Sequence, residues 1–160
     1  MESSAKRDPR GQGDQGERSA IAWLLGLGVP VFLPVGHSPD ADLVTDFGEG
    51  VLRVQVKTTT VLRNGRWDVT VGTRGGNRSW SGMVKHVDST RYDCLFVLVG
   101  DGRRWFIPAS AVEGGCGIRL GGPKYADYEI EPGQPLRVGP PSLDSAVLRR
   151  DTRAVKGTRL

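Results

Sequence analysis

The sequence has few of the residues that build disulfide frameworks and zinc sites. It contains two cysteines and two histidines, and none of them lies in a C-x-x-C or H-x-x-x-H arrangement. We therefore expect neither a disulfide-rich fold nor a structural zinc centre, and a reducing cytoplasm is the expected compartment. Long apolar runs are also lacking, since residues 20–27, the longest, fall far short of the roughly 20 residues that cross a membrane. Neither a signal peptide nor a membrane partner is expected.

The composition that remains is that of a single globular domain. Of 160 residues, 38% are apolar and 25% are charged, which is ordinary for soluble proteins. The 23 glycines and 10 prolines favour many turns over a helical bundle. The net charge of +4 is compatible with a nucleic-acid partner, and equally with a basic surface that keeps the protein soluble.

Changes in composition divide the chain into three segments. Residues 1–12 are polar, which predicts a disordered lead-in. Residues 13–130 carry the apolar patterns and are predicted to form the one folded domain. Residues 131–160 are a Pro/Gly-rich and basic extension, either a nucleic-acid arm or a solvated tail. Its basic residues include Arg149, Arg150, Arg153, Lys156 and Arg159.

One amphipathic helix is predicted near the start of the domain. Asp14 is a suitable N-cap, and Gly28 followed by Pro30 predicts an end near Leu27. Glu17 lies three, four and seven positions before apolar residues, so it is predicted to share their core-facing side. An acid on such a face is unusual, because burying a carboxylate without a partner costs free energy. A first-turn acid that favours the helix dipole is the simpler alternative for this residue.

The strands follow from alternating or continuous apolar runs. Asn64-Gly65 is a hairpin signal, and Trp67 and Trp105 are predicted to lie in the core. Short helices are predicted from Pro108 and over residues 143–150. The predicted strands cover residues 29–33, 41–47, 51–59, 66–73, 93–99, 104–107, 118–120 and 128–130.

Two of these strands carry polar side chains that favour a metal site. Alternation puts Asp42 on the same side as Asp46, and Gln55 on the same side as Lys57. If these polar sides meet the start of the helix, Glu17 joins them. Two carboxylates and an amide oxygen are suitable ligands for Mg²⁺, and a nearby lysine stabilises the charge that develops in phosphodiester hydrolysis. Asp46 precedes a Gly-rich turn, which favours a structural role for it.

These residues resemble the PD-(D/E)XK nuclease superfamily. The residues that carry the resemblance are Glu17, the segment Pro39-Asp40-Ala41-Asp42-Leu43-Val44, and Gln55-Val56-Lys57. The nearest branch is similar to group I intron homing endonucleases, in which glutamine replaces the acid of E-x-K. The segments Arg91-Tyr92-Asp93 and Trp105-Phe106-Ile107-Pro108-Ala109 are also similar to that branch.

The resemblance implies an α/β fold, namely a restriction-endonuclease-like core with a mixed central β-sheet flanked by helices. It also implies a Mg²⁺-dependent DNA endonuclease (an endodeoxyribonuclease), with Mn²⁺ able to substitute, and a homo-dimer or homo-tetramer as the assembly. Glu17, Asp42 and Gln55 would bind the metal, and Lys57 would position the attacking water. Asp40 is kept as a substitute for Asp42, because the literal Pro-Asp dipeptide ends at Asp40.

Gln55 is the departure that keeps a second hypothesis open. Replacing an acid by an amide removes one negative charge and weakens metal binding, so a catalytically weak or inactive nucleic-acid-binding module with the same fold is the alternative. A structural protein with an accidental motif is a third reading. DNA contacts are predicted around a basic loop, with Trp80 as a base-stacking or core residue; the candidates are Arg74, Arg78, Lys85 and Arg91.

Overall fold

A mixed six-stranded sheet is the centre of the computed structural model, which describes residues 8–36, 41–74, 84–85, 90–112 and 114–130. Its strand order is β1-β2-β3-β8-β9-β11, and β3 and β8 are parallel while every other neighbouring pair is antiparallel. The strands along the chain are β1 Val31–Phe32, β2 Leu43–Asp46, β3 Val51–Thr59, β4 Leu62–Arg63, β5 Arg66–Thr70, β6 Thr73–Arg74, β7 Val84–Lys85, β8 Cys94–Val99, β9 Arg104–Pro108, β10 Gly117–Leu120 and β11 Glu129–Ile130. Two 3-10 helices cover Ala109–Ala111 and Pro123–Tyr128.

The one α-helix in the described part of the chain, α1, spans Pro9–Gly26. It ends as predicted, because the Gly28 N–H bonds to the Leu25 carbonyl at 2.9 Å and Gly28 takes a φ of 76°. Its start was predicted six residues too late, since Asp14 was the expected N-cap. Asp8 is the N-cap, and its side chain accepts a hydrogen bond from the Arg10 N–H at 3.1 Å. Residues 9–12, assigned above to the lead-in, are therefore helical, while the division into three segments stays a prediction.

Helix α1 covers one face of the central sheet. Its buried residues are Gly16, Ala20, Trp23 and Leu24. They pack against a core that contains Leu43, Leu52, Val54, Val56, Cys94, Phe96, Leu98 and Phe106. Trp23 and Phe106 have ring centroids 5.0 Å apart, so the last turn of the helix packs against β9. This packing fixes the position of the helix over β3.

A second, three-stranded sheet of order β10-β5-β4 covers the opposite face. Its inner residues, Trp67, Val69, Ile118 and Leu120, pack against side chains of β8 and β9 that include Leu95, Val97, Trp105 and Ile107. Strand β8 is therefore buried along its whole length, as is usual for a strand covered on both faces. Trp67 and Trp105 are core residues, as predicted. In the described residues a sheet, and not a second helix, covers this face.

Most predicted strands are confirmed, with ends shifted by one to three residues. Strand β3 has the predicted bounds, and Asn64 and Gly65 form the hairpin turn with φ values of 50° and 71°, which is the type I′ geometry. The predicted strand 66–73 is instead divided into β5 and the first strand of the β6–β7 ribbon. The predictions for Trp80 and residues 143–150 lie outside the described residues. No helix in the described residues is long and apolar enough to cross a membrane.

Candidate active site

The carboxylate of Asp42 lies where β3 continues past the beginning of β2. Leu43, the first residue of β2, pairs with Val54, and β3 runs on to Thr59. On this side the Val56 N–H is therefore beyond the strand pairing, and Asp42 Oδ2 accepts its hydrogen bond at 2.7 Å. The Asp42 N–H in turn donates to the Val54 carbonyl at 2.9 Å. These two bonds fix the aspartate at the edge of the sheet.

Gln55 is joined directly to Asp42. Its amide Nε2 donates to Asp42 Oδ2 at 2.5 Å. Both side chains are partly buried. Strand alternation places Lys57 on the same face of β3 as Gln55, and Lys57 is also partly buried. Within the described part of the chain, no hydrogen bond or ion pair engages the Lys57 ammonium group. The predicted meeting of the strand acid with the Q-x-K strand is thus present.

Glu17 reaches this region from α1, but not from the buried face that the periodicity predicted. Ala20 and Leu24 are buried as predicted, but the residue that begins the buried stripe is Gly16, and Glu17 is exposed. Gly16 packs so closely on β3 that a Cβ there would lie 2.1 Å from Thr58 Oγ1 and 3.1 Å from Val56 Cγ1. This close approach places Glu17 at the edge of the helix–sheet interface. Its carboxylate is close enough to Asp42 for the charge of one to act on the other.

The charge of the Asp42 carboxylate acts on the Glu17 carboxylate, which indicates that the two groups are close together. Partial desolvation raises the pKa of Glu17 above its ordinary value, and the negative charges of Asp42 and Asp14 raise that pKa further. Because like charges oppose each other, a cation between the two carboxylates would be stabilised. The arrangement therefore has the electrostatics of a cation site.

The other predicted residues lie partly inside and partly outside the described part of the chain. Asp40, the substitute ligand, lies outside the described residues, as does Arg78. Arg91 is partly exposed just before β8. Arg74 and Lys85 belong to the ribbon of β6 and β7, in which Arg74 pairs with Val84 and Thr73 pairs with Lys85. Their roles in DNA binding stay predictions.

Sequence reasoning missed two residues that shape the site. Gly16 has no side chain and so leaves no trace in a hydrophobic pattern, although any side chain there would collide with Thr58 on β3. Asp93 accepts hydrogen bonds from the backbone N–H, Nε and Nη2 of Arg53 at 2.8, 3.0 and 3.0 Å, which joins β3 to the start of β8. The structural role predicted for Asp46 is supported by its bond from the Gly48 N–H at 2.7 Å.

Comparison with known proteins identifies the family. A model of PD-(D/E)XK endonucleases matches residues 7–114, more than half of the chain. The chain belongs to the PD-(D/E)XK endonuclease family. The solved structure of a bacterial homing endonuclease, I-Ssp6803I, aligns with a TM-score of 0.58 and 22% identity over 78% of this chain and 88% of that chain. This likeness confirms the predicted fold. No curated protein sequence matches the chain.

The candidate site offers hard oxygen donors. They are the carboxylates of Glu17 and Asp42 and the amide oxygen of Gln55. The described residues contain no group of three or more His, Cys, Asp or Glu side chains that could hold a metal ion. Two carboxylates suit Mg²⁺ or Mn²⁺, because Mg²⁺ is usually bound by one or two carboxylates and keeps several waters. The donor set thus fits a hard divalent cation and does not resemble a zinc site.

Proposed function

We propose that this protein is a Mg²⁺-dependent DNA endonuclease that hydrolyses phosphodiester bonds, with Mn²⁺ able to replace Mg²⁺. The observation that carries the proposal is the hydrogen bond between Gln55 and Asp42. It brings the acid at the start of β2 and the Q-x-K segment of β3 to one place, next to the acid of α1. Membership of the family supports nuclease activity. The oxygen donors of the candidate site support binding of a hard divalent metal ion.

The three oxygen-bearing residues have a binding role. Glu17, Asp42 and Gln55 would hold the cation, which when bound supplies neutralisation of phosphate charge and a more acidic water. Asp42 is held by the Val56 N–H, so its carboxylate is oriented before any ligand binds. Glu17 adds a second charge from a different element, and its pKa is raised first by desolvation and then by the negative charges of Asp42 and Asp14, which would also attract a cation.

Lys57 has the other role. Its ammonium group lies on the Gln55 face of β3 and can donate hydrogen bonds to a phosphate oxygen and to the attacking water. Both contacts strengthen as negative charge develops in the transition state, which is the condition for a catalytic contribution. Being partly buried, Lys57 acts where water screens its charge less than it would on an open surface.

The test is cleavage of supercoiled plasmid by the purified protein with Mg²⁺, Mn²⁺ or EDTA. We expect metal-dependent nicking or linearisation, and Lys57→Ala should lower the rate by about 10²- to 10³-fold while DNA binding is retained. Arg18→Gln is the matched control, since it removes one exposed positive charge on the outside of α1. Equal loss of DNA binding and cleavage in Lys57→Ala would contradict the role of Lys57. Nicking that persists in EDTA would contradict the proposed metal dependence.

A second candidate function is a nucleic-acid-binding module without catalysis. The observation that favours it is the orientation of Gln55, which offers Asp42 its Nε2 nitrogen and not its oxygen. Calorimetry with Mg²⁺ and Mn²⁺ separates the two functions. Binding that disappears in Asp42→Asn supports the endonuclease. If metal binds only to Gln55→Glu and the wild type binds DNA without nicking it, the module is the correct function.

A further inference from the structure

The outer surface of the three-stranded sheet is strongly basic. Four cationic side chains lie on it or at its edge, and all four residues are exposed: Arg63, Arg66, Arg119 and Lys124. We call these four residues the outer basic face. It is separate from the pair Glu17 and Asp42, since β4, β5 and β10 form a different layer from β2 and β3.

Two adjoining clefts shape this surface. The first, of about 340 Å³, is lined by Thr58, Thr59, Thr70, Arg63 and Asp68 together with two valines. Thr59 lies two positions after Lys57 on the same side of β3, so this cleft begins near the candidate active site. The second, of about 250 Å³, is lined by the cations Arg66, Arg119 and Lys124, with no carboxylate in its lining.

Charge along the two clefts is unbalanced. Asp68 lies between them, and its two oxygens pair with Arg63 at 3.5 Å and with Arg119 at 3.0 Å. One carboxylate therefore pairs with two guanidinium groups. It orients both of them but balances only one of their two positive charges. Arg66 and Lys124 have no ion pair within the described residues. The face keeps an excess of positive charge.

Local packing orders the two cations that have no ion pair. A Cβ at Gly122 would lie 3.0 Å from Arg66 Cζ, so the guanidinium lies against backbone that has no side chain. Lys124 Nζ lies 5.1 Å from the centroid of the Tyr125 ring, which is within the range of a cation–π contact. Cations held in this way lose less side-chain entropy when they bind an anion.

We propose that the outer basic face binds the sugar–phosphate backbone of duplex DNA that extends from the active site. The inference rests on the proposed function. A row of held cations leads from the cleft near Lys57 to Lys124, and phosphate oxygens accept hydrogen bonds from such groups. Such contacts are independent of sequence, so this face supplies affinity and register, not recognition of a target.

The experiment measures binding of two unrelated duplexes in EDTA at several salt concentrations, by fluorescence anisotropy. Arg66→Gln and Lys124→Gln should each weaken binding to both duplexes equally, and each should reduce the slope of log K against log salt by about 1. The matched control is Arg18→Gln, which removes the same charge from α1 on the opposite face of the central sheet. Asp68→Asn should have the opposite effect, a severalfold tighter binding, because it removes the only carboxylate of the two clefts.

Each outcome decides one claim. Loss of affinity in the face variants beyond that of Arg18→Gln, with Asp68→Asn binding more tightly, supports the inference. If Arg66→Gln, Lys124→Gln and Arg18→Gln change the affinity and the slope equally, the effect is one of net charge and the inference is wrong. Plasmid nicking by the wild type, measured in parallel with Mg²⁺, tests the proposed function separately. Nicking with unchanged binding in the face variants would overturn only the inference, whereas salt-dependent binding without nicking would overturn only the endonuclease.

Discussion

Two aspartates flank β3 and bind its backbone in the same way, yet their surroundings differ. Asp93 accepts the Arg53 N–H at 2.8 Å, and Asp42 accepts the Val56 N–H at 2.7 Å. Asp93 also faces the guanidinium of Arg53 through both oxygens, so this pair is electrically neutral. Asp42 bonds to the neutral amide of Gln55 and has the carboxylate of Glu17 nearby.

The difference separates a structural acid from a candidate functional one. A carboxylate that shares its charge with a bidentate arginine joins two strands and has little left to offer a ligand. A carboxylate beside a second carboxylate is held in place at an electrostatic cost that a bound cation would relieve. Each aspartate comes just before a strand and accepts one backbone N–H of β3. The charges around the two carboxylates are therefore what distinguishes them.

The largest effect is expected for Asp42→Asn. Cleavage should fall by at least about 10²-fold and metal binding should disappear, whereas stability should change little. Asparagine keeps an oxygen for the Val56 N–H, and the repulsion of Glu17 is removed. The pKa of Glu17, followed by NMR titration, should move down towards its ordinary value. A large loss of stability, or an unchanged Glu17 pKa, would show that Asp42 is the structural acid.

Asp93→Asn should show the reverse pattern. The free energy of unfolding should decrease by about 2 kcal/mol, since charge-assisted bonds from a guanidinium are lost and the exposure of Arg53 screens part of the pair. Metal binding measured by calorimetry should be unchanged, because Asp93 contacts none of the three proposed ligands in the described structure. Weaker metal binding in a folded Asp93→Asn protein would contradict the comparison.

Gly16→Ala tests how the helix acid is positioned. Overpacking costs about 1–3 kcal/mol and alanine gains about 1 kcal/mol over glycine in a helix, so we expect a net loss of about 1 kcal/mol. Cleavage should fall as well, because Glu17 shifts with the helix. Urea unfolding and plasmid cleavage measure the two effects.

The control for this variant is a second substitution. Thr58→Ala removes the atom that the new methyl group would meet, and the buried Thr58 hydroxyl has no partner among the described residues, so Thr58→Ala alone should be nearly neutral. The double variant should recover most of the stability and activity. A double variant as impaired as Gly16→Ala would show that the close helix–sheet contact is not what places Glu17.

Local patterns in the sequence predicted much of this fold. Alternation predicted β3 with its true bounds, and Asn64-Gly65 and Gly28 predicted a hairpin and a helix end, because each of these features is fixed by neighbouring residues. The packing of the β10-β5-β4 sheet over β8 was not predicted, since it joins strands that are distant along the chain. The helix start was missed because Gly11 and Gly13 weaken the local signal.

The meeting of the two strand residues was predictable, whereas the burial predicted for the helix acid Glu17 was wrong. Asp42 and Gln55 meet because β2 and β3 pair in a register that alternation implies. Glu17 was assigned to the buried stripe because an apolar count cannot detect Gly16, which begins that stripe and leaves the glutamate on the surface. Arg53 and Asp93 were not paired for a different reason, namely that a parallel strand contact leaves no pattern in one sequence.

The smallest expected effect is the pH dependence of stability that Glu17 confers. Its pKa is raised in the folded protein, so folding favours the protonated form, and this contribution is fully present below the unfolded pKa. It is lost as pH rises through the folded pKa. In metal-free buffer the wild type should therefore lose stability relative to Glu17→Gln as pH rises through this window, measured by urea unfolding at each pH. Saturating Mg²⁺ should reverse the trend, because a bound cation favours the ionised carboxylate. If stability shows the same pH trend with and without Mg²⁺, Glu17 does not bind the metal, and Asp42 and Gln55 are the metal ligands.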